Sequence, residues 1–378
     1  LLDGVGPIHI NLQFDEPLLP DGAYEWLDGI KVQQLTKPSR VAATITPTTR
    51  KNIVIVGHDR AGFSVERIEK LAKDLGAPIV AEDPLSFESA VAHSPIILSD
   101  ERARDALKPE LLVVIGRTTL SRSINAYISG APYVMLIDPR LETVDTARSA
   151  AETHHEIPNL TSPIPKDDSW FELWAKYESR AAQSLESLPE WCEARVAATI
   201  AQELESDTAL FISSSRPIRD FEAFAQPRSA LVTYANRGLA GIDGNISTAL
   251  GIATHHDETV AVLGDLAFLH DISALTNPTK DALTIIVIDN DGGGIFSTLP
   301  QRNQPGFDRI FGTPHGKDLA KIVAGFEISH EVVRSVKELH IAMQRIHPGL
   351  HIIIAKMPHR EANADSLAEV SKRYSMLL

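Results

Sequence analysis

The stretch VAVLGDL at residues 260–266 limits the possible folds of this chain more than any other stretch does. Its first four residues are apolar and predict a buried strand, which ends in a Gly-Asp pair. A helix is predicted over residues 267–276, and a second apolar strand over residues 283–288 leads into the run DNDGGGIF at residues 289–296. A strand, a helix and a strand in this order predict a parallel pair, so the carboxyl ends of both strands should meet at one edge of a sheet.

That edge is predicted to bind a divalent cation. Asp265 offers a carboxylate, Asn290 a side-chain amide, and the glycine run that follows a backbone carbonyl. Three oxygen ligands suit Mg2+, which keeps its other positions for water and phosphate oxygens. An Asp at this place could instead only cap the following helix. Three consecutive glycines favour the first interpretation, because a simple turn needs fewer and because glycines let a phosphate approach the backbone closely.

Composition limits the class of protein. The chain has 378 residues, 43% of them hydrophobic, which predicts two or three domains with cores of their own. A formal charge of -14 argues against nucleic-acid partners, which need clustered basic residues. The single cysteine, Cys192, excludes an internal disulfide and a Cys-based zinc site, and is typical of a reducing cytosol. No apolar run is long enough to predict a membrane span, and residues 1–7 lack a signal-peptide pattern.

Strands and helices alternate in two series along the chain. The predicted strands are 53–56, 78–81, 111–115 and 133–137, then 209–213, 230–234, 260–263, 283–288 and 350–355. The alternation predicts an α/β fold with two doubly wound, mainly parallel sheets. We assign residues 1–40 to the remnant of a preceding domain and a linker, residues 41–157 to a central α/β domain, and residues 158–378 to a second α/β domain. Residues 297–317 are interrupted by Gly and Pro and predict a long loop that could act as a lid.

A second polar unit, NRGLAGIDGN at residues 236–245, follows a predicted strand. Arg237 could bind a carboxylate with its guanidinium fork, or could simply pair with Asp243. Ile242 could be an ordinary core residue, or could support a bound cofactor from within the glycine-rich loop.

A third unit, SSSRPIR at residues 213–219, lies between a strand and a helix that begins with proline. Serines at a helix start can bind an anion, although Ser215 could be no more than the N-cap. Arg219 lies one helical turn further on and could equally be a solvent-exposed cation.

The three units together resemble the diphosphate-binding domain of thiamine diphosphate enzymes, where Gly-Asp-x and a later Asn hold Mg2+ and diphosphate. They are most similar to the synthases of menaquinone biosynthesis in that superfamily. Those carry NRGxxGIDG, GDLxxxxD and NxGGxIFxxL, which stand here at residues 236–244, 264–271 and 290–299. A weaker resemblance relates residues 6–18 to the end of the family's pyrimidine-binding domain and residues 41–157 to its central domain.

The resemblance implies a role for each motif residue. Asp265, Asn290 and Gly292 would be the ligands of Mg2+, with Mn2+ as an alternative, and Ile242 would support the bent form of the cofactor. The residues implied to contact thiamine diphosphate are Ile242, Asp243, Gly264, Asp265, Leu266, Asn290, Gly292, Gly293, Ile295 and Phe296. Those implied to contact substrate are Ser215, Arg219, Arg237, Leu299 and, from a loose match in the central domain, Arg122.

The resemblance also implies a reaction. Such synthases decarboxylate 2-oxoglutarate and join the succinyl unit to isochorismate, as cytoplasmic homodimers or homotetramers. No catalytic side chain is assigned here, because the glutamate that activates the cofactor belongs to the pyrimidine-binding domain, which is expected ahead of residue 1. We therefore expect this chain to be inactive alone. The alternatives are another thiamine diphosphate-dependent 2-oxo acid decarboxylase or carboligase, or a non-catalytic cofactor-binding module.

Overall fold

The computed structural model describes residues 11–13, 15, 28–29, 31, 41–140, 145, 149–229, 231–277, 279–345 and 347–378. Most of the predicted remnant at residues 1–40 lies outside these ranges. The described chain forms two parallel sheets covered by helices and one short strand pair, which confirms the predicted α/β class.

The first sheet has five strands in the order β3-β2-β4-β5-β6, and all of its pairs are parallel. The first seven strands of the described chain are β1 Thr44–Ile45, β2 Asn52–Val56, β3 Ile79–Ala81, β4 Leu111–Ile115, β5 Val134–Ile137, β6 Glu152–His154 and β7 Asn159–Leu160. β1 and β7 form the separate pair. Every residue of β2 and β4 is buried, because parallel strands are covered on both faces, and all of them are apolar except Asn52 at the start of β2.

The second sheet has six parallel strands in the order β12-β13-β11-β10-β8-β9. Its strands are β8 Ala209–Ile212, β9 Val232–Tyr234, β10 Thr259–Gly264, β11 Leu283–Asp289, β12 Ser329–Val333 and β13 Leu350–Lys356. β10 and β11 are neighbours, with Gly264 opposite Ile288. The predicted parallel pair is thus confirmed, and the residues that follow the two strands leave the sheet side by side.

Twelve α-helices connect and cover these strands in the described chain. They are α1 Val65–Asp74, α2 Ser94–Ile97, α3 Glu101–Ala106, α4 Arg122–Ser129, α5 Asp168–Ser184, α6 Glu193–Glu203, α7 Arg216–Phe224, α8 Asn245–Ala253, α9 Asp265–His270, α10 Leu319–Ala324, α11 Val336–Met343 and α12 Arg360–Leu377. α5 and α12 pack against the first sheet, where Trp170, Trp174 and Tyr374 share a core with Ile53 and Leu112. The predicted boundary after residue 157 remains a prediction, and both of these helices come from beyond it.

Two predicted segments differ from the structure. The helix expected over residues 267–276 is divided into α9 and a 3-10 helix, Ile272–Thr276. The break falls at Asp271, whose carboxylate accepts hydrogen bonds from the Ser247 backbone at 2.8 Å and hydroxyl at 3.3 Å and is thereby held against α8. The loop expected over residues 297–317 contains short helical turns, including Pro300–Asn303 and Asp308–Gly312.

Candidate cofactor and metal site

The carboxylate of Asp265 joins the two halves of the sequence motif. Asp265 is 2% exposed and begins α9, directly after β10. Its Oδ2 accepts hydrogen bonds from the backbone nitrogens of Asn290 at 3.1 Å and Gly292 at 2.9 Å, and its Oδ1 accepts one from Leu266 at 2.7 Å. The other two residues predicted to bind the cation, Asn290 and Gly292, therefore hydrogen-bond to the carboxylate of the first.

The side chain of Asn290 is oriented by a buried acid. Its Nδ2 donates to Oε1 of Glu193 at 2.7 Å, and the other oxygen of Glu193 accepts from Nδ2 of Asn363 at 2.9 Å. Because the amide nitrogen is committed to Glu193, the amide oxygen is left for another ligand. This Oδ1 is buried and has no hydrogen-bond partner in the described chain. A buried oxygen without a donor fits a cation ligand.

Burial, followed by the negative charge of Asp220, raises the pKa of Glu193 to about 7. Glu193 is the first residue of α6, and the sequence analysis missed it. No motif marks it, because a glutamate at a helix start is usually explained by the helix dipole.

The glycine run is needed for backbone packing as well as for any phosphate. Gly292 has φ +129, and a Cβ there would lie 2.2 Å from the carbonyl oxygen of Gly312. The Gly293 nitrogen donates to that same oxygen at 2.8 Å. The Gly292 carbonyl accepts from the Gly294 nitrogen at 2.9 Å and keeps a second lone pair for a cation.

The loop predicted over residues 297–317 reaches the site through His315. Its Nε2 lies 3.3 Å from Oδ2 of Asp265 and 3.9 Å from Oδ1 of Asp289, and the hydrogen bond to Asp265 raises the pKa of His315. The backbone nitrogens of His315 and Gly316 donate to Asp291 at 3.1 Å and 2.8 Å. The loop therefore contacts the ends of both strands through His315, a residue that the sequence analysis did not single out.

Asp265, Asp289 and His315 form a second set that could hold a metal ion. Burial raises the pKa of Asp289, which already pairs with Lys356 at 2.9 Å. Mg2+ prefers oxygen to imidazole nitrogen. We therefore favour the oxygen set of Asp265, Asn290 and Gly292.

Ser215 and Arg219 follow β8, the strand next to β10. Ser215 lies in the turn after the strand, and Arg219 lies in α7. Ser215 occupies the N-cap position of α7 with φ 77 and ψ -127, but its side chain makes no capping hydrogen bond to the described residues. A non-glycine residue in this region is strained, and such strain often marks a binding site. Arg219 is half-buried and donates to the Ser215 carbonyl at 2.7 Å. Burial, followed by the charge of Arg216, lowers the pKa of Arg219, which is thus not a freely exposed cation.

Arg237 is held by residues that follow one strand of each sheet, β4 and β8. Its Nη1 donates to Ser214 Oγ at 3.0 Å, its Nε to Thr119 Oγ1 at 3.2 Å, and its Nη2 to the Thr119 carbonyl at 3.1 Å. None of its hydrogen bonds to the described chain involves Asp243, so the alternative pairing is not observed. Burial, followed by the positive charge of Arg219, lowers the pKa of Arg237. Thr119, in the loop after β4, is a second residue that the sequence analysis missed.

The other predicted residues are spread over the loops around these strand ends. Ile242 is 47% exposed, so the alternative of a simple core residue is wrong. Asp243 is also exposed, in the loop before α8. Arg122 is exposed at the first residue of α4 and makes no hydrogen bond or ion pair with the described part of the chain; it is Thr119 that reaches Arg237. Partly buried positions are Gly264, Leu266, Ile295, Phe296 and Leu299.

Comparison with known proteins defines the class. Residues 23–212 match the family described as the middle domain of thiamine pyrophosphate, and residues 215–354 match the C-terminal TPP binding domain of thiamine pyrophosphate enzymes. The chain belongs to the thiamine pyrophosphate enzymes, and thiamine pyrophosphate is another name for thiamine diphosphate.

Within this class the chain belongs with the 2-succinyl-5-enolpyruvyl-6-hydroxy-3-cyclohexene-1-carboxylate synthases. It is 31% identical to that synthase of Saccharopolyspora erythraea, over 94% of this chain and 67% of the relative. It is 33% identical to that of Thermobifida fusca, over 92% and 66%. The chain thus spans about two thirds of the length of the curated relatives it matches. In the described residues, no helix combines the length and the apolar character that crossing a membrane requires.

Proposed function

We propose that this chain supplies the central and diphosphate-binding parts of a thiamine diphosphate- and Mg2+-dependent 2-succinyl-5-enolpyruvyl-6-hydroxy-3-cyclohexene-1-carboxylate synthase. The observation that carries the proposal is the arrangement at the ends of β10 and β11. There Asp265 holds the backbone of Asn290 and Gly292, and the buried amide oxygen of Asn290 lacks a partner among the described residues. The names of the relatives support the same activity.

Asp265, Asn290 and Gly292 are the proposed metal ligands. All three offer oxygen, which suits Mg2+ and also admits Mn2+. These residues would hold the metal, and the glycine run would let the diphosphate approach the backbone. Bound thiamine diphosphate would supply a nucleophilic carbon that adds to the carbonyl of a 2-oxo acid and a thiazolium ring that accepts the electron pair released when CO2 leaves.

Ile242 is proposed to support the cofactor, because a half-exposed isoleucine in a glycine-rich loop is available for an apolar contact. Phe296 and Leu299, on the turns after the glycine run, would line the same pocket. Asp243, Gly264, Leu266, Gly293 and Ile295 complete the proposed cofactor contacts.

Arg219 and Arg237 are proposed to bind the substrate carboxylates, with Ser215 at the same strand end. 2-Oxoglutarate and isochorismate are both anionic, and a chain with formal charge -14 must attract them through local cations. The two guanidinium groups are partly desolvated, which strengthens their interaction with an anion. Arg122, exposed on α4, is a more peripheral candidate.

Two further proposals follow from the family. Because the sites of such enzymes form between subunits, we expect a homodimer or homotetramer. A cytoplasmic location agrees with the single buried cysteine, Cys192.

Calorimetry and kinetics test the proposed function at separate levels. Thiamine diphosphate should bind this chain only when Mg2+ is present. A chain extended at its amino end to the length of the relatives should consume 2-oxoglutarate only when isochorismate is added. A different thiamine diphosphate decarboxylase would consume 2-oxoglutarate without isochorismate, and a module that binds the cofactor but never turns over either acid would contradict an enzymatic role.

Replacing Arg237 by lysine should raise the KM for substrate and lower kcat/KM by about 10- to 100-fold, since a lost charge-assisted hydrogen bond costs about 1.5–3 kcal/mol. Lysine cannot reproduce the three hydrogen bonds that orient the guanidinium on Thr119 and Ser214. Steady-state kinetics of the extended chain would measure the effect.

Arg67→Lys is the matched control, because Arg67 is exposed on α1 and forms an ion pair with Glu156. Affinity for thiamine diphosphate should stay unchanged in both variants. Equal kinetics of Arg237→Lys and wild type would contradict the proposed carboxylate contact.

A further inference from the structure

A second cluster of metal-ligating side chains lies on the edge strand of the second sheet, away from the proposed cofactor site. Glu331 on β12, His351 on β13 and His347 in the turn before β13 each present one ligand atom, and these atoms lie within 4.8 Å of one another. His351 is opposite Thr284 on the central strand β11. At about 3.3 Å per residue, the end of β11 at Asp289 is roughly 17 Å further along the sheet.

The ligand atoms of this cluster have no hydrogen-bond partner in the described chain. These atoms are Glu331 Oε1, His347 Nε2 and His351 Nε2, and all three are buried. The His351 side chain is only 2% exposed. Buried polar atoms without partners are costly, and a bound ion is one of the few ways to compensate for them.

The other polar atoms of the same side chains are already engaged. His351 Nδ1 lies 3.0 Å from Ser329 Oγ, and its Nε2 faces Glu331 Oε1 at 3.5 Å. Arg345 donates to Glu331 Oε2 at 2.9 Å, so Oε1 remains available. A hydrogen bond to the second atom of a ligand residue is the usual way in which proteins orient metal ligands.

The two imidazole rings lie face to face. Those of His347 and His351 have centroids 3.5 Å apart and an angle of 8° between their planes, so the His347 ring must turn before the in-plane lone pairs of both Nε2 atoms can point at one ion. Burial, followed by the charge of His347, lowers the pKa of His351, and the neutral imidazole is the form that binds metals. The nearby His330 does not belong to this set of three ligand residues.

We propose that Glu331, His347 and His351 form a binding site for a divalent transition-metal ion of the zinc type, with water as the remaining ligand. Two imidazole nitrogens and one carboxylate oxygen are a donor set that proteins use for Zn2+ and that Mg2+ does not favour. The ion would fasten the edge strand β12 to the turn that enters β13.

Equilibrium dialysis of the untagged chain against Zn2+ in excess Mg2+, followed by elemental analysis, tests this site. Wild type should retain one zinc ion per chain at this cluster. His347→Ala and Glu331→Gln should each weaken zinc binding by about tenfold or more, and both positions are exposed enough to tolerate the change. His351→Ala should act in the same direction, and its circular dichroism shows whether the buried substitution keeps the fold.

Two matched variants assign the ion to its site. His340 pairs with Glu203 on the surface at 2.9 Å, so His340→Ala controls for zinc held by any histidine-carboxylate pair. Asp265→Asn controls for zinc at Asp265, Asp289 and His315. The proposal is overturned if wild type binds no zinc, or if zinc is lost in Asp265→Asn and kept in both His347→Ala and Glu331→Gln.

Discussion

Replacing Asp265 by asparagine should weaken Mg2+-dependent binding of thiamine diphosphate by about 100-fold or more, which corresponds to about 2.8 kcal/mol. The substitution keeps the size of the side chain and one accepting oxygen. It removes the negative charge that a hard cation requires, and it replaces one acceptor by an amide donor beside the Asn290 and Gly292 nitrogens. Calorimetry at a fixed Mg2+ concentration would measure the loss.

Stability should change much less than binding in this variant. The charge of Asp265 helps to raise the pKa of Asp289, so the two carboxylates repel each other, and removing one relieves that repulsion. Asp207→Asn provides the control, since Asp207 is exposed just before β8. Normal cofactor affinity in Asp265→Asn, with an unchanged thermal transition, would contradict the metal assignment.

Replacing Glu193 by glutamine should also weaken Mg2+-dependent cofactor binding, by about 10- to 100-fold. Glutamate accepts one hydrogen bond from Asn290 and one from Asn363, whereas glutamine has only one oxygen to offer. The amide of Asn290 can then rotate, so that its nitrogen rather than its oxygen points toward the metal position. Glu193 is therefore a positioning residue, and its effect should appear in the Mg2+ dependence of binding.

The pH dependence of stability gives an independent measurement for Glu193. Its pKa is raised from 4.5 to about 7, so the folded state holds a proton more tightly than the unfolded state does. The contribution of this group to the free energy of unfolding therefore falls as pH rises from about 4.5 to 7. Glutamine cannot titrate, so Glu193→Gln should flatten that part of the profile measured by urea denaturation.

Glu203→Gln is the matched control, because Glu203 ends the same helix and pairs with a surface histidine. This variant should keep wild-type cofactor binding. If Glu193→Gln behaves in the same way as Glu203→Gln in calorimetry, then Asn290 does not depend on Glu193 for its orientation.

The regular part of the fold could be predicted because parallel strands buried on both faces have a strong sequence signal. β2, β4, β10 and β11 are apolar runs, and the structure places each within one or two residues of the prediction. β12 was missed because its residues, SHEVV, are largely polar, as an edge strand permits.

The C-terminal helix α12 was missed for a related reason. Few of its residues are buried, and they do not form a clear apolar stripe. Its position is set by long-range contacts, in which Val370 and Tyr374 enter the core of the first sheet and Arg360 pairs with Asp308 at 2.6 Å. A sequence pattern carries information about residues that are close along the chain. It says little about contacts between residues that are far apart in sequence.

The sequence by itself determined the fold class, the parallel pairing of β10 and β11, and the residues at their ends, because motif spacing and apolar runs are local properties. Tertiary structure alone decided how those residues are oriented. Glu193 and Asn290 are 97 residues apart, and Thr119 and Arg237 are 118 residues apart. Hydrogen bonds over such separations depend on how the elements pack, so only the folded chain shows that Glu193 engages the Asn290 nitrogen and leaves its oxygen without a partner in the described chain, and that Thr119 holds Arg237.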